Sequence, residues 1–304
     1  MISIIIPCYN EEKTIGIYIN AMKQIEDIMK DKYNQDIEYI FINDGSKDNT
    51  LFEIKKYPVR YISFSRNFGK EAALYAGLKA AKGDYIVVMD VDLQDPPELI
   101  PKMYEELQIG KYDCVATKRT NRKGEPPIRS FFSNCFYTLI NKISETEIVN
   151  GARYFRLMKR KMVDAVLSLS EKNRFSKGLF SWVGFKTKWL SYENVGRSAG
   201  NTKWSFWKLF IYSIDGIVAF SVKPLAIASI LGILIFFTSV IMILIIIGRT
   251  LIFGDPVAGY PSMLCFILML FGLNFLCLGV IGQYLAKLYT ESKNRPVYIV
   301  DEEK

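Results

Sequence analysis

The stretch YIVVMDVDLQDPPE, residues 85–98, decides how this chain is read. Four apolar residues, Ile86 to Met89, run straight into Asp90, and Asp92 and Asp95 follow within five positions. A short apolar run bounded by turn residues reads as a strand buried on both faces. Carboxylates at its end then lie where ligands gather in parallel α/β sheets, beyond the carboxyl ends of the strands.

The same pattern extends outward. Apolar runs predict strands at Ile2–Ile6, Ile37–Ile42, Tyr61–Phe64, Tyr85–Met89 and Asp113–Ala116, and helical spacing covers Glu11–Met29, Gly69–Ala81 and Glu98–Leu107. This alternation predicts an α/β domain with a mostly parallel sheet. Polar clusters close the first three strands: PCYNEE (7–12), NDGSKDNT (43–50) and SRNFGKEAAL (65–74). Asp44-Gly45-Ser46 can turn tightly and offer a carboxylate to a base or ribose, or serve as an ordinary turn with Ser46 and Asp48 as helix caps. Arg66 and Lys70 either offset a diphosphate or are surface charges.

In an extended chain Asp90 and Asp92 point the same way. They repel each other unless a cation lies between them. Hard oxygen donors suit Mg²⁺ or Mn²⁺, and Mg²⁺ usually binds through one or two carboxylates plus substrate phosphates. The expected guest is a metal–diphosphate; the plain alternative is an acidic triplet in a solvated loop.

The 304 residues are 50% hydrophobic, but unevenly so. Leu225–Ile247 and Pro256–Ala286 carry no charge, and each is long enough to cross the ~30 Å hydrocarbon slab as a helix. Lys203, Lys208 and Lys223 precede the first run, and Lys287, Lys293 and Arg295 follow the second. The positive-inside tendency puts both termini in the cytoplasm. The chain opens on ISIII, so no signal peptide is expected at its start. Five cysteines without metal-like spacing suit a reducing compartment. The net charge of +8 is concentrated between Arg153 and Lys188, where ten Lys and Arg face Asp164 and Glu171. Such a block suits anionic headgroups or phosphate ligands. No nucleic-acid motif accompanies it, so no nucleic-acid partner is expected. KWSFWKLF, residues 203–210, has the spacing of a helix lying in the membrane interface. The resulting division is a cytoplasmic domain at 1–200, a juxtamembrane helix at 201–222, a two-helix anchor at 223–288 and a cytoplasmic tail at 289–304. The anchor leaves room for a homo-oligomer.

Taken together, IIIPCYNEE, NDGSKDNT, SRNFGKEAAL and DVDLQDPPE occur in the order and near the spacing found in GT-A-type inverting glycosyltransferases. The chain most resembles the polyprenyl-phosphate (bactoprenol) glycosyltransferases and dolichol-phosphate mannose synthases. RFSKGLFSWVGF (174–185), GNTKWSFWKL (200–209), the two apolar runs and RPVYIV (295–300) extend the resemblance over essentially the whole chain. It implies a GT-A (Rossmann-like) domain. It also implies that Pro7, Tyr9, Glu11 and Asp44 cradle the nucleotide, and that Asp90 and Asp92 hold the metal–diphosphate. Gln94 and Asp95 would lie beside the sugar. Arg156, Arg197 and Lys203 would face phosphates, those of the acceptor lipid first.

One position departs from the pattern. Relatives of this kind carry an aspartate immediately before FRLM, treated as catalytic or metal-associated; here Tyr154 stands in that place. An inactivating change, a weakened enzyme and a chemistry that tolerates the loss are all compatible with it. The third has physical support, because a phosphate monoester has a second pKa near ~6 and is mostly ionised at neutral pH. The chain contains no histidine, which suits a reaction run by metal and positioning. The expected activity is metal-dependent transfer of a hexose from UDP-glucose or UDP-N-acetylglucosamine to undecaprenyl phosphate at the cytoplasmic membrane face, for cell-wall or surface-polymer glycosylation. Two alternatives stay open: a membrane-tethered sugar-nucleotide-binding protein impaired by Tyr154, and a GDP-mannose-dependent mannose synthase.

Overall fold

The computed structural model describes residues 1–119, 138, 140–142, 149–193, 214, 217–218, 221–253 and 259–304. Residues 120–130, most of the juxtamembrane segment 201–222, Arg197 and Lys203 lie outside them.

Eight strands form one sheet in the order β7-β5-β6-β4-β1-β2-β3-β8. β1 (Ile2–Cys8), β2 (Ile37–Asn43), β3 (Arg60–Phe64) and β4 (Tyr85–Val88) are parallel neighbours, as expected. β5 (Cys114–Arg119) and β7 (Thr187–Tyr192) pair in parallel, while β6 (Ala152–Lys159) runs antiparallel between β4 and β5. The sheet is therefore mostly parallel, with all of β1 to β4 ending along one rim.

Alternation along β1 builds a core on each face. Ile2, Ile4, Ile6 and Cys8 pack with α1 (Ile15–Tyr33) and α4 (Leu99–Gln108), with α2 (Thr50–Lys55) contributing Ile54 on the same face. Ile5 packs on the other face with α3 (Lys70–Ala80) and α5 (Arg160–Ser168). The small face of α3 lets it sit close: a Cβ at Gly77 would lie 2.2 Å from Ile5 Cγ2. α6 (Ser176–Trp182) buries Phe180 in this second core.

Two long helices follow, α7 (Lys223–Phe253) and α8 (Tyr260–Ser292). Among the described residues one helical stretch is long and apolar enough to cross a membrane, Met269–Ser292, and its apolar window is wholly unburied. The apolar stretch at the start of α7, Lys223–Ile235, is shorter. Of the two expected spans, this test therefore supports one.

The segment 289–304, expected as a tail, contains ordered structure. Val300–Glu303 forms β8, antiparallel to β3 at the sheet edge. Lys304 and Tyr61 exchange backbone hydrogen bonds at 2.9 and 3.2 Å, and Tyr298 stacks on Phe64 at 4.8 Å. An acidic VDEE run gives no strand signal; the pairing comes from the open edge of β3.

Candidate active site

The loops leaving β1 and β2 are stitched together. Asn10 N donates to Ser46 Oγ (2.9 Å), Lys47 N returns a bond to Asn10 Oδ1 (2.8 Å), and Glu11 N donates to Thr50 Oγ1 (2.7 Å). The Glu11 carboxylate accepts from the Thr14 hydroxyl at 3.2 Å. Pro7 and Tyr9 are half-buried at the start of this wall. Gly45 has φ 59°, and a Cβ there would lie 2.2 Å from the carbonyl carbon of Arg66, so only glycine lets the loops after β2 and β3 touch.

Asp44 is buried at that contact. Its carboxylate accepts from Phe68 N (2.7 Å), Gly69 N (3.0 Å) and Asn67 Nδ2 (2.9 Å). Burial pushes its pKa up to about 6, against the opposing pull of the Phe68 and Gly69 N–H groups and Arg66. Asp44 thus organises the loop that opens α3. Arg66 is exposed, with its guanidinium 4.0 Å from the Phe68 ring centre.

At the mouth of β4 the strand stops at Val88, and Val91 and Asp92 lie in a turn. This corrects the extended geometry expected for Asp90 and Asp92. Leu93 has φ 54°, a strained value for a branched residue and one that re-aims the chain directly after Asp92. Asp92 is buried and accepts from Gln94 N at 3.2 Å. Lys70 Nζ meets both oxygens of Asp90, and Arg153 approaches at 3.9 Å, so cationic side chains answer the repulsion that sequence reasoning assigned to a metal. Gln94 Oε1 accepts from Arg119 at 3.0 Å. Asp95 is fully buried; its Oδ1 accepts from Arg153 Nε (3.0 Å) and from the Tyr192 hydroxyl, while its Oδ2 has no hydrogen-bond partner among the described residues.

β6 and β7 bring residues that sequence reasoning missed. Burial disfavours the Arg153 cation, but the Asp95 and Asp90 carboxylates outweigh it and raise its pKa. Burial and Asp95 push the Tyr192 hydroxyl up to about 12. The Tyr154 hydroxyl donates to Glu71 Oε1 at 2.8 Å, and Glu71 Oε2 accepts from Ser176 N at 2.9 Å. Arg156, expected to face phosphate, is 3% exposed. Its guanidinium donates to the carbonyls of Arg153 (3.0 Å) and Tyr154 (3.4 Å) and lies 3.9 Å from the Phe180 ring centre. Arg156 therefore props the backbone of β6 from within the core instead of lining the rim, and burial lowers its pKa.

Asp90, Asp92 and Asp95 thus follow one strand end, with Lys70 and Arg153 against Asp90 and with Arg153 and Tyr192 against Asp95. The donor set is hard oxygen, and the Oδ2 of Asp95, without a hydrogen-bond partner among the described residues, is a buried acceptor beside Arg153. No group of three metal-binding side chains occurs among the described residues. Two aspartates suffice for a divalent ion that completes its shell with phosphate oxygens, so the residues fit such an ion.

The profile of glycosyl transferase family 2 matches residues 3–167, more than half of the chain and every strand just described except β7 and β8. This chain belongs to glycosyl transferase family 2. Within it, the chain is 40% identical over 308 residues to the bactoprenol glucosyl transferase of Shigella phage SfV, covering 100% of this chain and 99% of that one. It is 41% identical over 304 residues to the prophage bactoprenol glucosyl transferase homolog of Escherichia coli K12, covering 98% of each. Among solved structures, glucosyl-3-phosphoglycerate synthase from Mycobacterium tuberculosis, crystallised with Mn²⁺, UDP-glucose and phosphoglyceric acid, superposes with a TM-score of 0.48 at 21% identity over 72% of this chain and 77% of that one. The chain is therefore a glycosyltransferase.

Proposed function

We propose that this family 2 enzyme transfers a hexose, glucose first among candidates, from a UDP-sugar to undecaprenyl phosphate at the cytoplasmic face of the membrane, with inversion. The observation that carries the proposal is the Asp90–Lys70–Arg153–Asp95 cluster at the end of β4, in a chain matched over its whole length by relatives named bactoprenol glucosyl transferases. A lipid-phosphate oxygen attacks the anomeric carbon, the bond from that carbon to the diphosphate oxygen breaks, and UDP leaves. The attacking phosphate is mostly ionised at neutral pH, so no strong general base is needed. That requirement is what the loss of an aspartate at Tyr154 would otherwise violate.

Asp90 and Asp92 would hold Mg²⁺ or Mn²⁺, which supplies charge neutralisation to the departing diphosphate. Pro7, Tyr9, Glu11 and the loop organised by Asp44 form the wall assigned to the nucleotide. Lys70 and Arg66, at the entrance to α3, add positive charge beside it. Gln94 is assigned to the sugar, while Arg153 and Tyr192 fix the buried Asp95 carboxylate next to it in the chain. Arg197 and Lys203 remain assigned to the acceptor phosphate.

The membrane placement proposed is two crossings, α7 and α8, with the sheet and both termini on the cytoplasmic side. It is supported by β8: residues 2 and 303 belong to one sheet, so an even number of crossings separates them.

The test is radiolabelled sugar transfer to undecaprenyl phosphate in detergent, with UDP-glucose, UDP-N-acetylglucosamine and GDP-mannose in parallel. Transfer from a UDP-sugar, inhibited by UDP and lost in Asp92→Asn, is expected. Transfer from GDP-mannose alone would turn the reading to a mannose synthase. Absence of transfer by the natural chain, with a large gain in Tyr154→Asp, would turn it to an impaired nucleotide-sugar binder.

A further inference from the structure

Two ammonium groups lie against one aromatic ring beside the β4 mouth. Lys70 Nζ is 4.4 Å and Lys177 Nζ 5.3 Å from the ring centre of Tyr154. Lys70 is committed to Asp90. Lys177 is only partly exposed, and no carboxylate among the described residues forms an ion pair with it. A half-buried cation that shares one aromatic ring with a second cation is poised for an anion.

The surroundings are built rather than incidental. The Tyr154 hydroxyl is fixed by Glu71, and the other Glu71 oxygen holds Ser176, the residue before Lys177. The ring and the lysine are thus oriented by one carboxylate. A carboxylate at position 154 would instead place a negative charge between Lys70 and Lys177.

The location indicates which anion. Just before α6, Lys172 N and Asn173 N donate to the Glu291 carboxylate at 2.9 and 2.8 Å, and Lys172 Nζ donates to Asn294 Oδ1 at 2.8 Å. Lys177 therefore lies within five residues of the joint between the catalytic domain and the end of α8, the apolar helix. Lys70 faces the other way, toward Asp90 and the strand ends. Deepening the transfer reading above, and resting on it, we propose that Lys177 binds the phosphate of the acceptor lipid, with the Tyr154 ring, which it shares with Lys70, as the platform that holds it.

The experiment separates the two phosphate sources. Lys177→Gln, Lys177→Arg and the unsubstituted chain are compared for KM toward a short-chain polyprenyl phosphate and toward the UDP-sugar. Binding of the prenyl phosphate and of UDP is measured without turnover, by calorimetry in detergent. Lys177→Gln is expected to weaken prenyl-phosphate binding and raise its KM ~10- to 100-fold, the range for losing one hydrogen bond to a charged group. UDP affinity should stay within about twofold, and Lys177→Arg should recover most of the loss. Unchanged prenyl-phosphate binding would overturn the assignment, as would weakened UDP binding, which would give Lys177 to the donor diphosphate. Absence of turnover in the natural chain, with prenyl-phosphate binding that depends on Lys177, would defeat the transfer reading and leave this site standing.

Discussion

Lys70 Nζ lies 2.5 and 2.8 Å from the two carboxylate oxygens of Asp90, so one ammonium ties the first turn of α3 to the end of β4. The pair neutralises an aspartate that the β4 mouth would otherwise leave beside Asp92 and Asp95. Under the proposed transfer it would also station a cation where a leaving diphosphate needs one. Lys70→Met removes that charge and leaves Asp90 with Arg153 at 3.9 Å. Initial rates of sugar transfer are expected to fall ~10²-fold, the scale seen when a preorganised charge-stabilising donor is lost. An unaltered rate would detach the pair from the chemistry.

Asp44 gives a pH dependence of unusual sign. Burial raises its pKa to about 6, above the ~3.9 of an unfolded aspartate. Between those values the folded chain binds more protons than the unfolded one. Its contribution to stability is therefore full below ~4 and is lost as pH rises through about 6. A plot of unfolding midpoint against pH should carry this falling component between pH 4 and 6, and Asp44→Asn should remove it. Identical profiles for the two proteins would show that Asp44 titrates normally.

Gly45→Ala should be among the most damaging single substitutions in the domain. The left-handed φ alone costs ~1–2 kcal/mol for a residue with a Cβ. The added carbon would also press on backbone atoms of Arg66 and Asn67, at 2.2 to 2.6 Å, which cannot rotate aside. A loss of ~2–4 kcal/mol is expected in denaturant unfolding, within the range of overpacking and strain combined. Weaker UDP binding should accompany it, because the Asp44 loop moves with it.

The first half of the fold was legible because physics there is local. β1 to β5 are apolar runs at regular distance, and their polar ends announce the rim. β6 was not legible, because ARYFRLMK carries Arg153, Arg156 and Lys159 in eight residues. Its burial depends on partners distant in sequence: Asp95 for Arg153, Phe180 and two carbonyls for Arg156. The same holds for Tyr192, 97 residues from the Asp95 it caps. The one available signal was the cation-rich block from Arg153 to Lys188, which sequence reasoning assigned to lipid or phosphate as a whole. Part of that charge is consumed inside the domain. The acids at the β4 mouth were found, but their geometry was not, since a turn at Val91–Asp92 and a left-handed Leu93 replace the extended chain assumed for them.

β8 makes a prediction about topology that hydropathy cannot make alone. Its register with β3 pairs Ile62 with Glu303 and Ser63 with Glu302, and Lys55 meets Glu302 at 2.5 Å. The last residues are therefore held on the edge of the sheet beside β3. Cysteines introduced at the exposed positions Lys30 and Lys304 should react with a membrane-impermeant maleimide from the same side of sealed vesicles, above the labelling of the unsubstituted chain. Labelling from opposite sides would rule out both β8 and an even number of crossings. Ending the chain at Pro296 removes β8 and the Tyr298 ring stacked on Phe64. It should cost about 2 kcal/mol, the low end for deleting apolar contacts because Tyr298 is half-buried, and should leave β3 as an open edge prone to pairing with other chains. Thermal unfolding and light scattering of the truncated protein would read the two effects separately.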